Sequence, residues 1–202
     1  MLITHGEKME NKLRSFGILT PMIKKELFDY LIDEHQILFT SSLNRSLVFA
    51  GNLQKSVFLK DWRYQTGIDA FGLKGDIPLG ETVNYKGVYS QPELLRRIPK
   101  DRFGIAWDND LFQGGNYQEY TKYNSPHKVS LYVALGLPVI VWQDSAIADF
   151  VVKYRLGFAI SSLSEIDPLM ASIEEDELKQ LKQRVNRFGC LLREGLFTKQ
   201  FK

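Results

Sequence analysis

Short apolar segments alternate with helix-like segments from residue 47 onward, and this alternation constrains the fold more than any other feature of the chain. The apolar segments are almost continuously hydrophobic, which is typical of strands buried on both faces of a parallel sheet. We predict strands at residues 47–50, 68–71, 82–88, 103–107, 137–142 and 157–160. Helices are predicted between them, at residues 56–62, 92–98, 126–135 and 146–154. The pattern indicates an α/β fold, a Rossmann-like parallel sheet with helices on both faces, over residues 47–175.

The first residues have the pattern of the end of a strand–helix unit. A short apolar strand at residues 2–3 precedes Thr4, which stands three residues before Glu7 as in a capping box. An apolar helical face then runs to Gly17, a natural helix stop. We interpret residues 1–17 as the remnant of an N-terminal Rossmann domain.

The regions on either side of the predicted sheet domain are connecting and closing elements. Residues 18–46 contain Pro21 and a polar run, so we predict an interdomain segment with a short helix near residues 24–31. Residues 176–202 begin with a helical apolar period. We predict that this C-terminal helix packs back toward the N-terminal domain.

The bulk properties exclude several classes of protein. The 202 residues suffice for one full domain, and a formal net charge of +2 does not favour nucleic acid as a partner. The sequence has no stretch of about 18 apolar residues, which a membrane span would need. Cys190 is the only cysteine and the three histidines lack metal-ligand spacing, so we expect no disulfide and no metal site. We expect a cytoplasmic location, extending to a peripheral position at the inner membrane face.

A ligand of an open parallel sheet binds beyond the carboxyl ends of the strands. That rule selects four short segments, which are Gly51-Asn52, Tyr85-Lys86-Gly87, Trp107-Asp108 and Gln143-Asp144-Ser145. The glycine-rich dinucleotide fingerprint, the P-loop and the Gly-x-Ser-x-Gly hydrolase elbow do not occur in the sequence. Dinucleotide dehydrogenases, ordinary P-loop proteins and common serine hydrolases are therefore disfavoured.

Residues 124–128, Asn-Ser-Pro-His-Lys, form the most informative segment. Asn124 or Ser125 is expected to cap the next helix, and Pro126 suits its first position. His127 and Lys128 in that first turn oppose the helix dipole, which makes sense if the helix N-terminus holds a diphosphate. The alternative is that Lys128 is simply a solvated first-turn lysine.

The remaining candidates also have structural alternatives. Gly51 either closes a tight turn or, with Asn52 beside it, lets a phosphate approach the backbone. Lys55 is either a surface lysine or a second cation for the same ligand. Tyr85 either belongs to the core or stacks on a base. Carboxylates in the long loop that follows the fourth strand are expected to be solvated; they are Asp108, Asp110 and Glu119.

Five segments carry a resemblance to a known family; they are residues 7–13 (Glu-Lys-Met-x-x-Lys-Leu), 48–55 (Val-Phe-Ala-Gly-Asn-Leu-x-Lys), 103–107 (Phe-Gly-Ile-Ala-Trp), 124–142 (Asn-Ser-Pro-His-Lys through Gly-Leu-Pro-Val-Ile-Val-Trp) and 192–198 (Leu-Arg-x-Gly-x-Phe-Thr). Through them the chain resembles the bacterial glucosyltransferase/β-1,6-galactofuranosyltransferase-like group of GT-B glycosyltransferases. The resemblance extends from about residue 7 to residue 201. The Gly-Leu-Pro-Val-Ile element is shared by many GT-B enzymes, so the preceding lysine discriminates better.

The resemblance implies the C-terminal, donor-binding half of a hexosyltransferase. Such an enzyme transfers galactofuranose or glucose from a UDP-sugar, which is a substrate and not a cofactor, to a glycan or glycosylated-protein acceptor without a metal. By the same resemblance, Lys128 is a diphosphate ligand of the UDP-sugar. Lys55 occupies a basic position, often arginine, that also contacts the diphosphate, and Tyr85 lies beside the nucleotide base.

Two departures from the family pattern limit what the resemblance implies. Lysine in place of arginine at position 55 keeps the charge but loses bidentate phosphate geometry. Family members also begin with an N-terminal Rossmann domain, on which the catalytic base is expected, so no catalytic residue is assigned within this sequence. The alternative is a catalytically silent nucleotide-sugar-binding or assembly subunit, acting with a separate N-terminal-domain chain or as a homo-oligomer.

Overall fold

The computed structural model describes residues 1–32, 38–109 and 115–199. Its strands are β1 (Leu2–Thr4), β2 (Met22–Lys24), β3 (Leu47–Ala50), β4 (Ile68–Phe71), β5 (Val83–Gly87), β6 (Phe103–Ala106), β7 (Val139–Trp142) and β8 (Gly157–Ile160). Its α-helices are α1 (Glu7–Ser15), α2 (Gln91–Arg97), α3 (Tyr117–Thr121), α4 (His127–Ala134), α5 (Ala148–Lys153), α6 (Ile166–Ser172), α7 (Glu175–Arg193) and α8 (Leu196–Lys199). Within these ranges, no helix is both long and apolar enough to cross a membrane.

Six strands form the main sheet, in the order β5-β4-β3-β6-β7-β8, and every neighbouring pair is parallel. All residues of β3, β4 and β6 are buried, as their continuous hydrophobicity requires for strands covered on both faces. The predicted α/β fold is confirmed, and so are the six strands within one or two residues of their ends.

The sheet reverses its strand order between β3 and β6. From β3 the chain proceeds outward to β4 and β5, then returns to β6 on the other side and continues to β7 and β8. The ladder between β3 and β6 joins only Leu47 to Phe103 and Val48 to Gly104. The two strands therefore separate toward their carboxyl ends, where doubly wound sheets bind their ligands.

Two helix predictions were wrong, because tertiary contacts override local helical periodicity. Residues 56–62 form no α-helix; short 3₁₀ turns at Leu53–Lys55 and Val57–Leu59 allow Phe58 and Trp62 to reach the core. Residues 24–31 also lack a helix, since β2 pairs in parallel with β1.

The start of α1 also differs from its prediction. Gly6 occupies the N-cap position without a side-chain cap. The predicted Thr4 cap is wrong because the Thr4 hydroxyl donates instead to the Ile23 carbonyl, across the small β1–β2 sheet.

The C-terminal helices α7 and α8 pack on the sheet domain and also on the leading segment, by which we mean residues 1–32. Helix α7 begins within one residue of the start of the predicted C-terminal helix and packs along α4. Asp29 in the leading segment accepts hydrogen bonds from the backbone N–H groups of Phe197 (2.9 Å) and Thr198 (2.6 Å) in α8. That the tail packs toward an N-terminal domain remains a prediction.

Candidate functional site

Tyr132 places α4 over the point where β3 and β6 separate. Its ring lies against Gly104 of β6, where a Cβ atom would stand 2.3 Å from the ring carbons. Its hydroxyl accepts a hydrogen bond of 2.7 Å from the Ala50 N–H, at the end of β3. The absence of a side chain at Gly104 is what permits this close packing. Helix α4 is thereby fixed beside the carboxyl ends of both strands.

Lys128 lies one turn before Tyr132, on the same face of α4. Its Nζ atom stands 4.6 Å from the centroid of the Phe49 ring in β3. The same atom lies 3.4 Å and 3.5 Å from the carboxylate oxygens of Asp108, which follows β6. The Lys128 side chain is only 17% exposed, so the alternative of a solvated lysine is wrong.

The two charged side chains compensate one another in a poorly hydrated place. Burial lowers the pKa of Lys128, and the charge and hydrogen bond of Asp108 oppose that shift. Burial raises the pKa of Asp108, and Lys128 opposes that shift in turn. The ammonium group is therefore held beside the crevice at a cost in hydration, which is characteristic of functional sites.

The N-terminus of α4 has no side-chain cap. Pro126 is the N-cap residue and not the first helical residue as predicted. The predicted caps are absent because Asn124 Oδ1 lies 2.5 Å from His5 Nδ1 and the buried Ser125 Oγ has no hydrogen-bond partner in the described part of the chain. The first-turn N–H groups of α4 thus receive no side-chain acceptor, which favours an anionic ligand.

Gly51 stands where the loops after β3 and β4 touch. Its carbonyl oxygen would lie 1.8 Å from a Cβ atom at Gly72, which adopts φ +129°, so only glycine fits at position 72. A Cβ at Gly51 itself would come within 3.3 Å of the Phe49 ring, the same ring that Lys128 approaches. Asn52 Oδ1 accepts from the Gln54 N–H at 3.0 Å, which gives Asn52 a local role in shaping the turn.

Tyr85 and Lys55 lie further out along the same edge. Tyr85 is 41% exposed as a residue, so the core alternative is wrong, and its hydroxyl donates to the Gly72 carbonyl at 3.2 Å. Lys55 is exposed, and its Nζ lies 5.4 Å from the centroid of the Tyr117 ring. No contact between the described residues joins Lys55 to Lys128, so their convergence on one ligand stays a prediction.

His127 takes part in a different contact from that predicted. Its ring stacks on Phe28 of the leading segment, with centroids 3.9 Å apart and planes inclined by 14°. The Phe28 ring also meets His5 edge to face, at 5.0 Å. His127 therefore packs against the leading segment, and a role of His127 in binding a ligand stays a prediction.

Asp108 is more shielded from water than its place in a polar loop predicted. The rule of strand ends selected its position, but we expected the loop carboxylates to be solvated. Asp108 is instead 25% exposed and paired with Lys128. Glu119 does form an exposed pair with Lys122, and Asp110 lies outside the described residues. The one signal for Asp108 in the sequence was its position directly after the predicted strand at residues 103–107.

The assembled edge combines a shielded lysine, an uncapped helix N-terminus, a close backbone turn at Gly51 and an exposed tyrosine ring. Cations and free N–H groups recognise phosphate oxygens, and an aromatic ring recognises a flat base. The arrangement suits a ligand with a phosphate group and an attached ring system.

Comparison with known proteins shows the family to which the chain belongs. Residues 47–202 match the family described as "Glucosyltransferase 3-like, C-terminal domain". β-1,6-Galactofuranosyltransferase WbbI of Escherichia coli (strain K12) is 30% identical over 208 residues, covering 98% of this chain and 60% of that protein. Glucosyltransferase 3 of Streptococcus gordonii is 30% identical over 205 residues, covering 98% and 59%. The chain thus spans about three fifths of the length of these relatives.

The fold also resembles solved structures. The crystal structure of Anabaena Alr3699/HepE in complex with UDP-glucose superposes with a TM-score of 0.59 at 11% identity, covering 95% of this chain and 61% of that one. At this identity the likeness concerns the fold alone, which is that of GT-B glycosyltransferases.

Proposed function

Since this chain belongs to the glucosyltransferase 3-like family through its C-terminal domain, we propose that it binds the diphosphate of a UDP-sugar at the carboxyl edge of the six-stranded sheet. The observation that carries the proposal is the position of Lys128, held beside the uncapped start of α4 where the strand order reverses. An anion bound there gains both a charge-assisted hydrogen bond and the helix N-terminus.

The reaction we propose is transfer of a hexosyl group, galactofuranose or glucose, from the UDP-sugar to a glycan or glycosylated-protein acceptor. An acceptor hydroxyl oxygen forms a bond to the anomeric carbon, and the bond from that carbon to the diphosphate oxygen breaks. UDP leaves with the electron pair, and the catalytic base takes the hydroxyl proton. Lys128, Lys55 and the N–H groups of α4 stabilise that developing charge without a metal. Relatives named glucosyltransferase and galactofuranosyltransferase support the choice of hexose.

The remaining site residues have proposed roles in holding the donor. Tyr85 stacks on the base, since its ring is exposed at the strand edge. Gly51 and Asn52 let a phosphate approach the backbone, and Pro126 and His127 form the entry to the helix N-terminus. We propose that the catalytic base lies on an N-terminal domain, in the same or a separate chain.

Calorimetric titration of UDP into the wild type and into Lys128→Ala tests donor binding. Loss of a charged hydrogen bond to phosphate should weaken UDP binding by roughly tenfold to a hundredfold. Lys60→Ala, which removes an exposed lysine outside the site, is the matched control and should leave the affinity unchanged. Equal UDP affinity in Lys128→Ala and wild type would show that the diphosphate site is wrongly assigned.

An assay of sugar transfer and of UDP-sugar hydrolysis by the same protein tests the reaction. Turnover supports the hexosyltransferase. UDP binding with neither transfer nor hydrolysis supports the alternative, a nucleotide-sugar-binding or assembly subunit that needs a separate partner chain or a homo-oligomer.

A further inference from the structure

The contact between Lys128 and Asp108 is a loose one. Its two N–O distances, 3.4 Å and 3.5 Å, exceed the 2.7–2.9 Å of a strong charge-assisted hydrogen bond. An ammonium group has three donors, so this long contact leaves Lys128 with donor capacity beyond Asp108. The pair balances charge without fixing the lysine firmly.

Unpaired polar atoms occur in the chain segments next to this contact. Trp107 Nε1 and Asn109 Oδ1, on either side of Asp108, are buried and have no hydrogen-bond partner in the described part of the chain. Ser125 Oγ, just before α4, is in the same condition. Buried polar atoms in folded proteins are nearly always paired. Their concentration in the two segments that meet at Lys128 is unlike a finished structural ion-pair network.

We propose that Asp108 is a positioning residue for the donor site, acting as the counter-ion of Lys128 until a nucleoside diphosphate takes over that lysine. The inference rests on the proposed function, since it concerns the same ligand. A carboxylate and a diphosphate cannot both remain against one ammonium group without strong repulsion between them. Ligand binding therefore requires Asp108 to withdraw or to take up a proton.

The proposal predicts a pH dependence with a definite sign. Among the described residues, two groups face the carboxylate: the ammonium of Lys128, and the Tyr132 hydroxyl, whose pKa is raised by burial and, to a lesser extent, by Asp108. Because burial raises the pKa of Asp108, the carboxyl is neutral over a wider acidic range than an exposed aspartate. The competitor of the diphosphate disappears when Asp108 is protonated.

The test compares the UDP affinity of Asp108→Asn with that of wild type from pH 5 to pH 9 by calorimetry. The ratio of the two affinities cancels the titration of the phosphates of UDP. We expect the ratio to approach one as the pH falls, and to rise toward roughly tenfold tighter binding by Asp108→Asn as the pH increases and Asp108 ionises, as removal of a neighbouring like charge implies. At the alkaline end the variant should lose affinity sooner than the wild type, because the charge of Asp108 no longer opposes the lowering of the Lys128 pKa.

The control is Asp61→Asn, which removes the same charge from an exposed position and should keep a ratio of one at every pH. If Asp108→Asn does not fold, Asp108→Ser serves for the same comparison. Unchanged UDP binding in Lys128→Ala defeats the proposed function itself. If Lys128→Ala loses binding while the Asp108→Asn ratio stays at one, or falls below one even in acid, only the counter-ion role is overturned.

Discussion

Lys182 and Lys128 are both shielded from water, but by different kinds of partner. Lys182 in α7 is completely inaccessible, and its Nζ donates at 2.5 Å to the carbonyl oxygens of Lys100 and Gly136. Lys128 is also poorly hydrated but faces one long carboxylate contact and an aromatic ring. The partners of Lys182 are backbone atoms that cannot move away, whereas the partner of Lys128 is a side chain that can. A buried lysine with fixed acceptors is structural; one with an exchangeable partner is suited to a ligand.

The structural lysine, Lys182, joins the turn before β6 to the turn after α4. The Gly136 carbonyl follows the end of α4, and the Lys100 carbonyl precedes β6. Lys100 itself donates to the Ile98 carbonyl at 2.6 Å, within the turn that ends α2. Burial lowers the pKa of Lys182 and of Lys100 to about 8 each.

Lys182→Ala should have the largest effect. It leaves a cavity and two buried carbonyl groups without their donor, which should lower the free energy of unfolding by about 3 kcal/mol. Urea unfolding measures the change. Lys179→Ala, an exposed lysine on the same helix, should change it by less than about 0.5 kcal/mol. A loss below about 1 kcal/mol for Lys182→Ala would erase the distinction between the two lysines.

Lys128→Gln should show the reverse behaviour. UDP affinity should fall by up to about a hundredfold because the charge is lost, whereas the free energy of unfolding should fall by at most about 1 kcal/mol. The small structural cost is expected because Asp108 stays partly hydrated. Calorimetry and urea unfolding of the same sample measure both. If the stability loss matched that of Lys182→Ala, Lys128 would be a structural residue.

Raising the pH through the pKa values of the structural lysines should stabilise the protein. Between about pH 8 and 10.5, Lys182 is protonated in the unfolded chain and neutral in the folded one, so the free energy of unfolding rises with pH. Below pH 8, Lys182 is charged in both states, so the folded state bears the full cost of burying that charge. The expected rise is roughly 1 kcal/mol per lysine between pH 8 and 9, by urea unfolding. In Lys182→Met, only the part of this rise that Lys100 contributes should remain. If the free energy of unfolding rose with pH as steeply as in the wild type, or fell, this interpretation would be wrong.

Tyr85→Ala should give the smallest effect, confined to the ligand edge. Loss of base stacking should weaken UDP binding roughly fivefold to tenfold. Tyr85→Phe keeps the ring and loses only the hydrogen bond to Gly72, so it should bind UDP like the wild type. Equal binding by both variants and wild type would remove Tyr85 from the donor site.

Much of the fold could be predicted because strands buried on both faces must be almost continuously apolar. The runs Leu47–Ala50 and Val139–Trp142 have that property, and both are strands. The segment at residues 24–31 misled us, since its apolar residues serve long-range packing: Leu27 is buried, and the Phe28 N–H donates to Ser130 Oγ in α4 at 2.9 Å. Local periodicity does not record such partners.

The sequence by itself determined the parallel α/β sheet and the lysine at the start of α4, and it predicted the edge at which a ligand would lie. Strand burial and helix-end chemistry depend on neighbouring residues, so they are visible in a linear chain. Only the tertiary structure decided that Tyr132 bridges to Ala50, that Lys128 is paired with Asp108, and that Lys182 is held by backbone carbonyls. These contacts join residues between 20 and 82 positions apart, and the burial and acceptor that decide the role of each lysine exist only once the chain has folded.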